Sequence, residues 1–282
     1  MAAVVMDGKA LAAKLKGQVR LQAERMARKP GLAVVLVGDD PAALAYESGK
    51  RRDCQECGIY YDTFRLPEAA SQTELLEVIE TFNSREDIDG ILLLLPLPRH
   101  LDERRALLAI RPDKDVDCVS PVNLGELLLD GRDTFQPCTP AGVMRLLEEY
   151  GVDPAGKECV VVGRSHVVGK PQALLLLRKN GTVTICHSKT ADLAGQCRRA
   201  DILVSAAGRP GLITAGMVKE GAVVIDVSMN RDAQGRLCGD VDCAAAAEKA
   251  SFITPVPGGT GPVTRAVLMK NVLSAALAHG KK

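Results

Sequence analysis

Leu11, Leu15, Val19 and Leu21 recur at approximate helical spacing among lysines and arginines, so residues 11–28 read as an amphipathic surface helix. Residues 32–37 form an unbroken apolar run ended by Gly38, the mark of a strand buried on both faces of a parallel sheet. Asp39-Asp40-Pro41 signals a helix start, and that helix stops at Gly58. A short strand ending at 63–66, a helix over 74–83 and an uninterrupted apolar strand over 91–98, stopped by its prolines, continue the alternation. After a short helical stretch and the acidic loop 114–117, a helix over 141–150 reads as the bridge to a second α/β alternation. Its strands are 160–162, 182–186, 202–205 and 222–227, separated by helical or glycine-rich segments. A proline- and glycine-rich stretch, 254–262, precedes a last helix over 263–279 and reads as a fixed loop that returns the chain to the first domain.

Composition narrows this picture. A chain of 282 residues that is 46% hydrophobic can bury a large core, and two domains fit its two alternations. Lys+Arg 36 against Asp+Glu 35 leaves a net charge of +1, so no broad basic face for nucleic acid or anionic lipid is expected. Nine irregularly spaced cysteines, and no apolar run long enough for a bilayer, point to a soluble cytoplasmic protein in a reducing compartment. Residues 1–16 carry Asp7, Lys9, Lys14 and Lys16 and lack a signal-peptide core, so export is not expected. Cys54 and Cys57 form a C-x-x-C in a charged, helix-like segment with no second pair at zinc spacing, so no metal is expected.

Candidate chemistry gathers where strands end. The run 160–162 breaks at Gly163, and Pro171 suits the first turn of a following helix, giving strand, loop and helix. Such a loop aims backbone N–H groups and a positive helix end at a phosphate. The ordinary dinucleotide fingerprint is G-x-G-x-x-G, whereas here the glycines are Gly163 and Gly169, with Ser165 in the second place; a plain strand-to-helix connection is the alternative. His187 and Ser188 lie just past the next strand, where NAD is normally met by an acidic residue. No carboxylate stands there, while Arg164 and Ser188 could both meet a ribose phosphate, which favours NADP. In the first alternation, Tyr46 and Lys50 are four residues apart on one helical face, and Asp115 and Asp117 follow the apolar strand; alone, these read equally as surface packing and a solvated loop.

Together these segments resemble the bifunctional methylenetetrahydrofolate dehydrogenase/cyclohydrolase family, the FolD type. The resemblance runs nearly the whole length. Its most specific pieces are Gly163-Arg164-Ser165 through Val168-Gly169-Lys170-Pro171, Cys186-His187-Ser188, Pro137-Cys138-Thr139-Pro140-Ala141-Gly142, and Pro255-Val256-Pro257-Gly258-Gly259 through Thr264-Arg265. It implies two α/β domains with a cleft between them: a folate-binding catalytic domain, residues 1–137 plus 264–282, and a Rossmann-like NADP-binding domain with a mainly parallel sheet, residues 138–263. It implies oxidation of methylenetetrahydrofolate by NADP to methenyltetrahydrofolate, then hydrolysis to formyltetrahydrofolate. Tyr46, Lys50 and Asp117 become the catalytic residues. Tyr46 offers an aromatic face to the folate rings, Asp117 accepts hydrogen bonds from the pterin edge, and Lys50 moves a proton or orients water. Leu94, Pro96, Pro257, Gly258 and Gly259 join Tyr46 and Asp117 around the substrate. Gly163, Arg164, Ser165, Val168, Gly169, His187, Ser188, Ala207, Gly208 and Thr264 would hold NADP. Tetrahydrofolate derivatives are the implied partners, with a homodimer formed through the nucleotide-binding domain.

Several positions depart from the family pattern. Leu94 replaces a glutamine that hydrogen-bonds the lysine and serves the hydrolytic step. A more apolar neighbour favours neutral lysine, but the lost orienting bond dominates, at roughly one to two orders of magnitude in rate, so hydrolysis is weakened. Cys118 and Ser228 each replace a glycine and add bulk, and Thr260 stands for a valine. These changes also fit a divergent relative that binds folate or NADP with little turnover. Short-chain dehydrogenases share Tyr-x-x-x-Lys, but there the pair follows the dinucleotide loop, whereas Tyr46 lies far upstream of Gly163.

Overall fold

The computed structural model describes residues 3–129 and 135–280, and the backbone alone at 41–43, 45 and 46. In chain order its elements begin with β1 (Val4–Val5), α1 (Gly8–Ala23), β2 (Gly31–Val37), α2 (Pro41–Cys57), β3 (Tyr60–Leu66), α3 (Gln72–Ser84), β4 (Gly90–Leu93), α4 (Glu103–Ala109) and α5 (Pro121–Leu128). They continue with α6 (Cys138–Glu149), β5 (Glu158–Val162), α7 (Gly169–Arg178), β6 (Thr182–Cys186), α8 (Leu193–Arg199), β7 (Ile202–Ser205) and β8 (Val223–Asp226). The chain closes with β9 (Asn230–Arg231), β10 (Leu237–Cys238), α9 (Cys243–Ala246), β11 (Phe252–Ile253) and α10 (Thr260–His279). Two compact units divide them: Lys14–Gln136 with Arg265–Lys282, and Met1–Ala13 with Pro137–Thr264. Among the described residues no helix is long and apolar enough to cross a membrane.

The first of these units holds a parallel three-stranded sheet in the order β3-β2-β4. β2 is central, so Leu32 to Leu36 are all buried, which is why its sequence lacks polar alternation. α3 starts on a complete capping box: Ser71 Oγ accepts the Glu74 N–H, and Glu74 accepts the Ser71 N–H. The apolar run 91–98 does not continue as strand beyond Leu93. Leu94 N–H still donates to Val35 O at 2.9 Å, but Pro96 and Pro98 have no N–H with which to extend the ladder. Behind β4, Asp89 is fully buried and accepts from both ends of the Arg28 guanidinium at 2.7 Å, from Gly31 N–H at 2.8 Å, and faces His279 Nδ1 at 2.9 Å. One carboxylate thereby ties the start of β2 to the end of α10.

The other unit holds a six-stranded sheet, β1-β11-β8-β7-β5-β6, in which every described pair is parallel. From β5 the chain moves out to β6 and then crosses to β7 on the other side, so β5 is the point where strand order reverses. Val160, Val162, Leu203, Val224 and Ile253 fill the core.

Two features differ from the sequence reading. Val4 and Val5, where no strand was read, pair with Phe252 and Ile253 and complete this sheet. Tyr150 holds them there, its hydroxyl accepting the Asp7 N–H at 2.6 Å and its ring meeting Phe252 edge-on. Asp7 Oδ1 then accepts the N–H groups of Lys9 and Ala10, so α1 starts three residues before the expected Leu11. Nor does α6 bridge the units. Its Ala141, Val143, Leu146 and Leu147 are buried, and Gly142 lets the backbone at Val263 and Thr264 approach closely, so the helix belongs wholly to this unit.

At the end of β8, Asp226 is 2% exposed and accepts from Ser228 N–H at 3.0 Å and Val241 N–H at 2.8 Å. Burial raises its carboxyl to about 6. The folded chain therefore takes up this proton at higher pH than the unfolded chain, whose carboxyl titrates near ~3.9. The contribution to stability is fully present below about pH 4 and is lost as pH rises through about 6. We expect urea unfolding of the wild type to lose about 3 kcal/mol over that interval relative to Asp226→Asn, a slope that a flat difference would refute. In the three-stranded unit, Asp89→Ala leaves the buried Gly31 N–H without its acceptor and releases the part-exposed Arg28 to water, and should cost about 1–3 kcal/mol by the same measurement.

Candidate functional site

Within the six-stranded unit, the carboxyl ends of four neighbouring strands lie side by side. Gly163 N–H donates to Cys186 O at 2.9 Å, Ala206 N–H to Val162 O at 2.7 Å, and Val227 N–H to Ser205 O at 3.0 Å. This register brings the Gly163 turn, the His187-Ser188 turn, the 206–209 loop and Ser228 to one edge. Gly163 has φ +134, and a Cβ there would overlap the backbone at Ala206; one on Gly169 would overlap Gly163 O. Both glycines are thus demanded by a close crossing of backbone at the strand-order reversal.

Ser165 alters the expected role of the helix start. Its Oγ accepts the N–H groups of Val168 at 3.1 Å and Gly169 at 3.3 Å, and its carbonyl accepts that of Lys170 at 3.0 Å. These three donors at the start of α7 are engaged inside the loop rather than aimed outward, two of them by a hydroxyl that stands where the usual fingerprint has glycine. Its own hydrogen remains to donate, and Arg164 beside it is exposed. Across the register, His187 Nδ1 accepts the Lys189 N–H at 3.1 Å. Ser188 is exposed next to it.

Below this edge sits Asp240, fully buried. Its Oδ2 accepts from Ser205 Oγ at 2.9 Å, Ala207 N–H at 2.7 Å and Ser228 Oγ at 2.7 Å, and its Oδ1 from Arg209 N–H at 2.7 Å and Asn230 Nδ2 at 3.0 Å. Burial alone would raise this carboxyl, but these donors, Ser228 first, hold it below the usual carboxylate range. Ala207 and Gly208 are therefore shaped by a residue that the sequence reading did not single out. The available signal was an acidic residue set between Gly239 and Val241, where a Cβ on Gly239 would overlap the Asp226 carboxylate. The Pro257-Gly258-Gly259 turn is likewise held from outside the motif, since Gly8 lies so close that a Cβ there would overlap Gly259 O. Gly258 has φ +110. Thr264 Oγ1 bonds Thr139 Oγ1 at 3.3 Å, and Thr260 Oγ1 donates to Asp226 O at 3.0 Å.

The three-stranded unit carries the other candidates. Lys50 is half-buried on α2, one residue after Gly49, where the Arg265 guanidinium fills the space a Cβ would need. The side chain of Tyr46, on the same helix, lies outside the described residues. Leu94 is half-buried just past β4, and Pro96 is exposed after it. The Asp115 loop runs parallel to β4, bridging Ile91, and so carries Asp117, half-buried, toward the same strand end. Asp115 is 1% exposed and accepts from Val119 N–H, Ser120 N–H and Asn123 Nδ2; it shapes the loop. Asn271 on α10 pins that loop by donating to Val116 O at 2.8 Å.

Cys118 has φ +58, a backbone suited to glycine that costs roughly 1–2 kcal/mol for other residues. Its side chain is buried with Sγ facing Phe135 O at 3.8 Å, so its added bulk is taken up in the core of this unit. The C-x-x-C thiols are buried on α2, with Cys57 pushed up to about 12 by burial and Cys54 raised further, and among the described residues no metal-binding cluster forms.

Known proteins match the chain along almost its whole length. The catalytic-domain model of tetrahydrofolate dehydrogenase/cyclohydrolase matches residues 6–117, and the NAD(P)-binding-domain model of the same family matches residues 137–280. Bifunctional protein FolD of Moorella thermoacetica is 54% identical over 279 residues, spanning 98% of this chain and 99% of its own. The crystal structure of the bifunctional FolD methylenetetrahydrofolate dehydrogenase/cyclohydrolase of Campylobacter jejuni has a TM-score of 0.96 at 44% identity, covering 98% of this chain and 99% of that one. The Trypanosoma brucei enzyme, solved with NADP cofactor and an inhibitor, has a TM-score of 0.96 at 38% identity across all of both chains. The chain belongs to the tetrahydrofolate dehydrogenase/cyclohydrolase family.

Proposed function

We propose that this chain oxidises methylenetetrahydrofolate to methenyltetrahydrofolate with NADP, and hydrolyses the product to formyltetrahydrofolate with a hydrolytic step weakened at Leu94. The observation that carries the reading is the pair of family-model matches, one over residues 6–117 and one over 137–280, which together take in every candidate site residue. The residues fit NADP: Gly163 and Gly169 allow the tight turn at the strand-order reversal, exposed Arg164 offers charge to a ribose phosphate, and no acidic side chain follows β6 at His187-Ser188. Ser165 would donate its remaining hydrogen, while Val168, Ala207, Gly208 and Thr264 shape the surrounding backbone. When bound, NADP supplies the hydride acceptor.

The folate residues do the rest. Tyr46 is the aromatic partner of the pterin, Asp117 accepts from its donor-rich edge, and Pro96, and separately the Pro257-Gly258-Gly259 turn, are substrate-binding positions. Loss of hydride from the one-carbon bridge leaves the methenyl cation. Water then adds to that carbon, gives up a proton, and one carbon–nitrogen bond opens to leave the formyl group. Lys50, half-buried on α2, orients the water and handles its proton. Leu94 cannot hydrogen-bond this amine, so Lys50 is less well positioned than with a glutamine beside it. Cytoplasmic location and a homodimer through the nucleotide-binding domain complete the reading; Leu177 on α7 and Ile185 on the edge strand β6, 58% and 41% exposed, are apolar surface that supports the dimer.

Formation of methenyltetrahydrofolate, followed by absorbance, should proceed with NADP and be slower with NAD. No gain with either cofactor would sink the proposal, and tight folate binding without product would favour a non-catalytic relative. With methenyltetrahydrofolate added directly, Leu94→Gln should hydrolyse it about tenfold or more faster than the wild type, and Lys50→Ala no faster than buffer. Equal rates in wild type and Leu94→Gln would remove Leu94 from the hydrolytic step.

A further inference from the structure

Ser228 stands at a junction that neither its own strand nor the dinucleotide loop requires. Its N–H donates to Asp226 Oδ1 at 3.0 Å, its hydroxyl donates to Asp240 Oδ2 at 2.7 Å, and the same oxygen accepts the Gly208 N–H at 3.2 Å. Both hydroxyl functions are thus engaged within the protein. Gly208 shares its N–H with Asp240 Oδ2 at 3.3 Å, a longer and divided bond, and has a left-handed φ of +66. Asp240 holds Ala207 and Arg209 on either side of it. The loop so held begins at Ala206, which bonds Val162 and crowds Gly163 so closely that no Cβ fits there. A continuous set of contacts therefore runs from the Ser228 hydroxyl through Asp240 and Gly208 to the turn at the strand-order reversal.

We infer that Ser228 is a positioning residue for NADP binding, fixing the 206–209 loop against the Gly163 turn through its hydroxyl. The inference rests on the cofactor reading above and adds to it a residue that does not touch the cofactor. Removing the hydroxyl withdraws one donor from a fully buried carboxylate and one acceptor from Gly208, and leaves that N–H with the longer bond alone. A side chain that keeps the hydroxyl keeps the lock.

The test is direct titration of NADPH fluorescence, which reads binding without turnover, on the full chain and on Ser228→Ala, Ser228→Gly and Ser228→Thr, with thermal unfolding measured alongside. The expected result is a Kd for NADPH raised about three- to tenfold in Ser228→Ala and Ser228→Gly and close to wild type in Ser228→Thr. In steady state the same two variants should show the rise in KM for NADP with kcat changed less than about twofold. Wild-type Kd in a folded Ser228→Ala or Ser228→Gly, with any loss confined to the melting temperature, overturns the inference; two independent variants keep that outcome accessible if one fails to fold. A wild-type chain that does not bind NADPH overturns the cofactor reading itself and this inference with it, a result distinguishable because it appears before any substitution is made.

Discussion

A carboxylate can only accept hydrogen bonds, so one that is buried must gather donors from whatever surrounds it. That constraint organises both units of this chain. Asp240 collects N–H groups from Ala207 and Arg209 and side chains from three further positions, and in doing so dictates the shape of the 206–209 loop. Asp115 does the same for residues 119–123, the loop that follows Asp117. Neither carboxylate has to touch a ligand to matter; each converts a flexible connection into one with a fixed set of partners.

The parallel sheet supplies the complementary constraint. Register along β5, β6, β7 and β8 delivers four turns to one edge, and close crossing there admits only glycine at positions 163 and 169. Ser165 adds a variation on the usual phosphate loop: its hydroxyl satisfies the first N–H donors of α7 within the loop, which leaves the Arg164 and Ser165 side chains exposed on it. In the three-stranded unit a cysteine occupies a left-handed backbone at position 118 directly after Asp117, held by burial of its side chain. There, local backbone preference is overruled by packing.

Much of this was legible in the sequence because it rests on short-range patterns. Unbroken apolar runs marked β2, β5, β7 and β8, since a central parallel strand is apolar on both faces, and glycine marked where β2 and β5 end. What escaped depends on partners far along the chain. β1 is two residues long and exists only because residues 252–253 lie open to pair with it. α6 has the polarity of a connector, yet its apolar face is covered, and Gly142 faces backbone from residues 263–264. Asp240 looks like one acidic residue among several in 239–242, and nothing local shows that its donors come from positions 205 to 230. The strand 91–98 failed for the opposite reason: hydropathy continued past Leu93, but prolines removed the N–H groups on which pairing depends.

The placement of Val4 and Val5 bears on how this edge of the sheet is finished. They form the outermost strand beside β11, and behind them Asp7 and Gly8 seat the next helix against the Gly258-Gly259 turn. An outermost strand of two residues offers few open backbone groups to a passing chain, whereas the edge it covers leads directly to the long interior of the sheet. A boundary drawn at the first amphipathic repeat, Leu11, would strip that cover and present a ready template for strand addition. The opening residues thus cover a sheet edge as well as forming a piece of the fold.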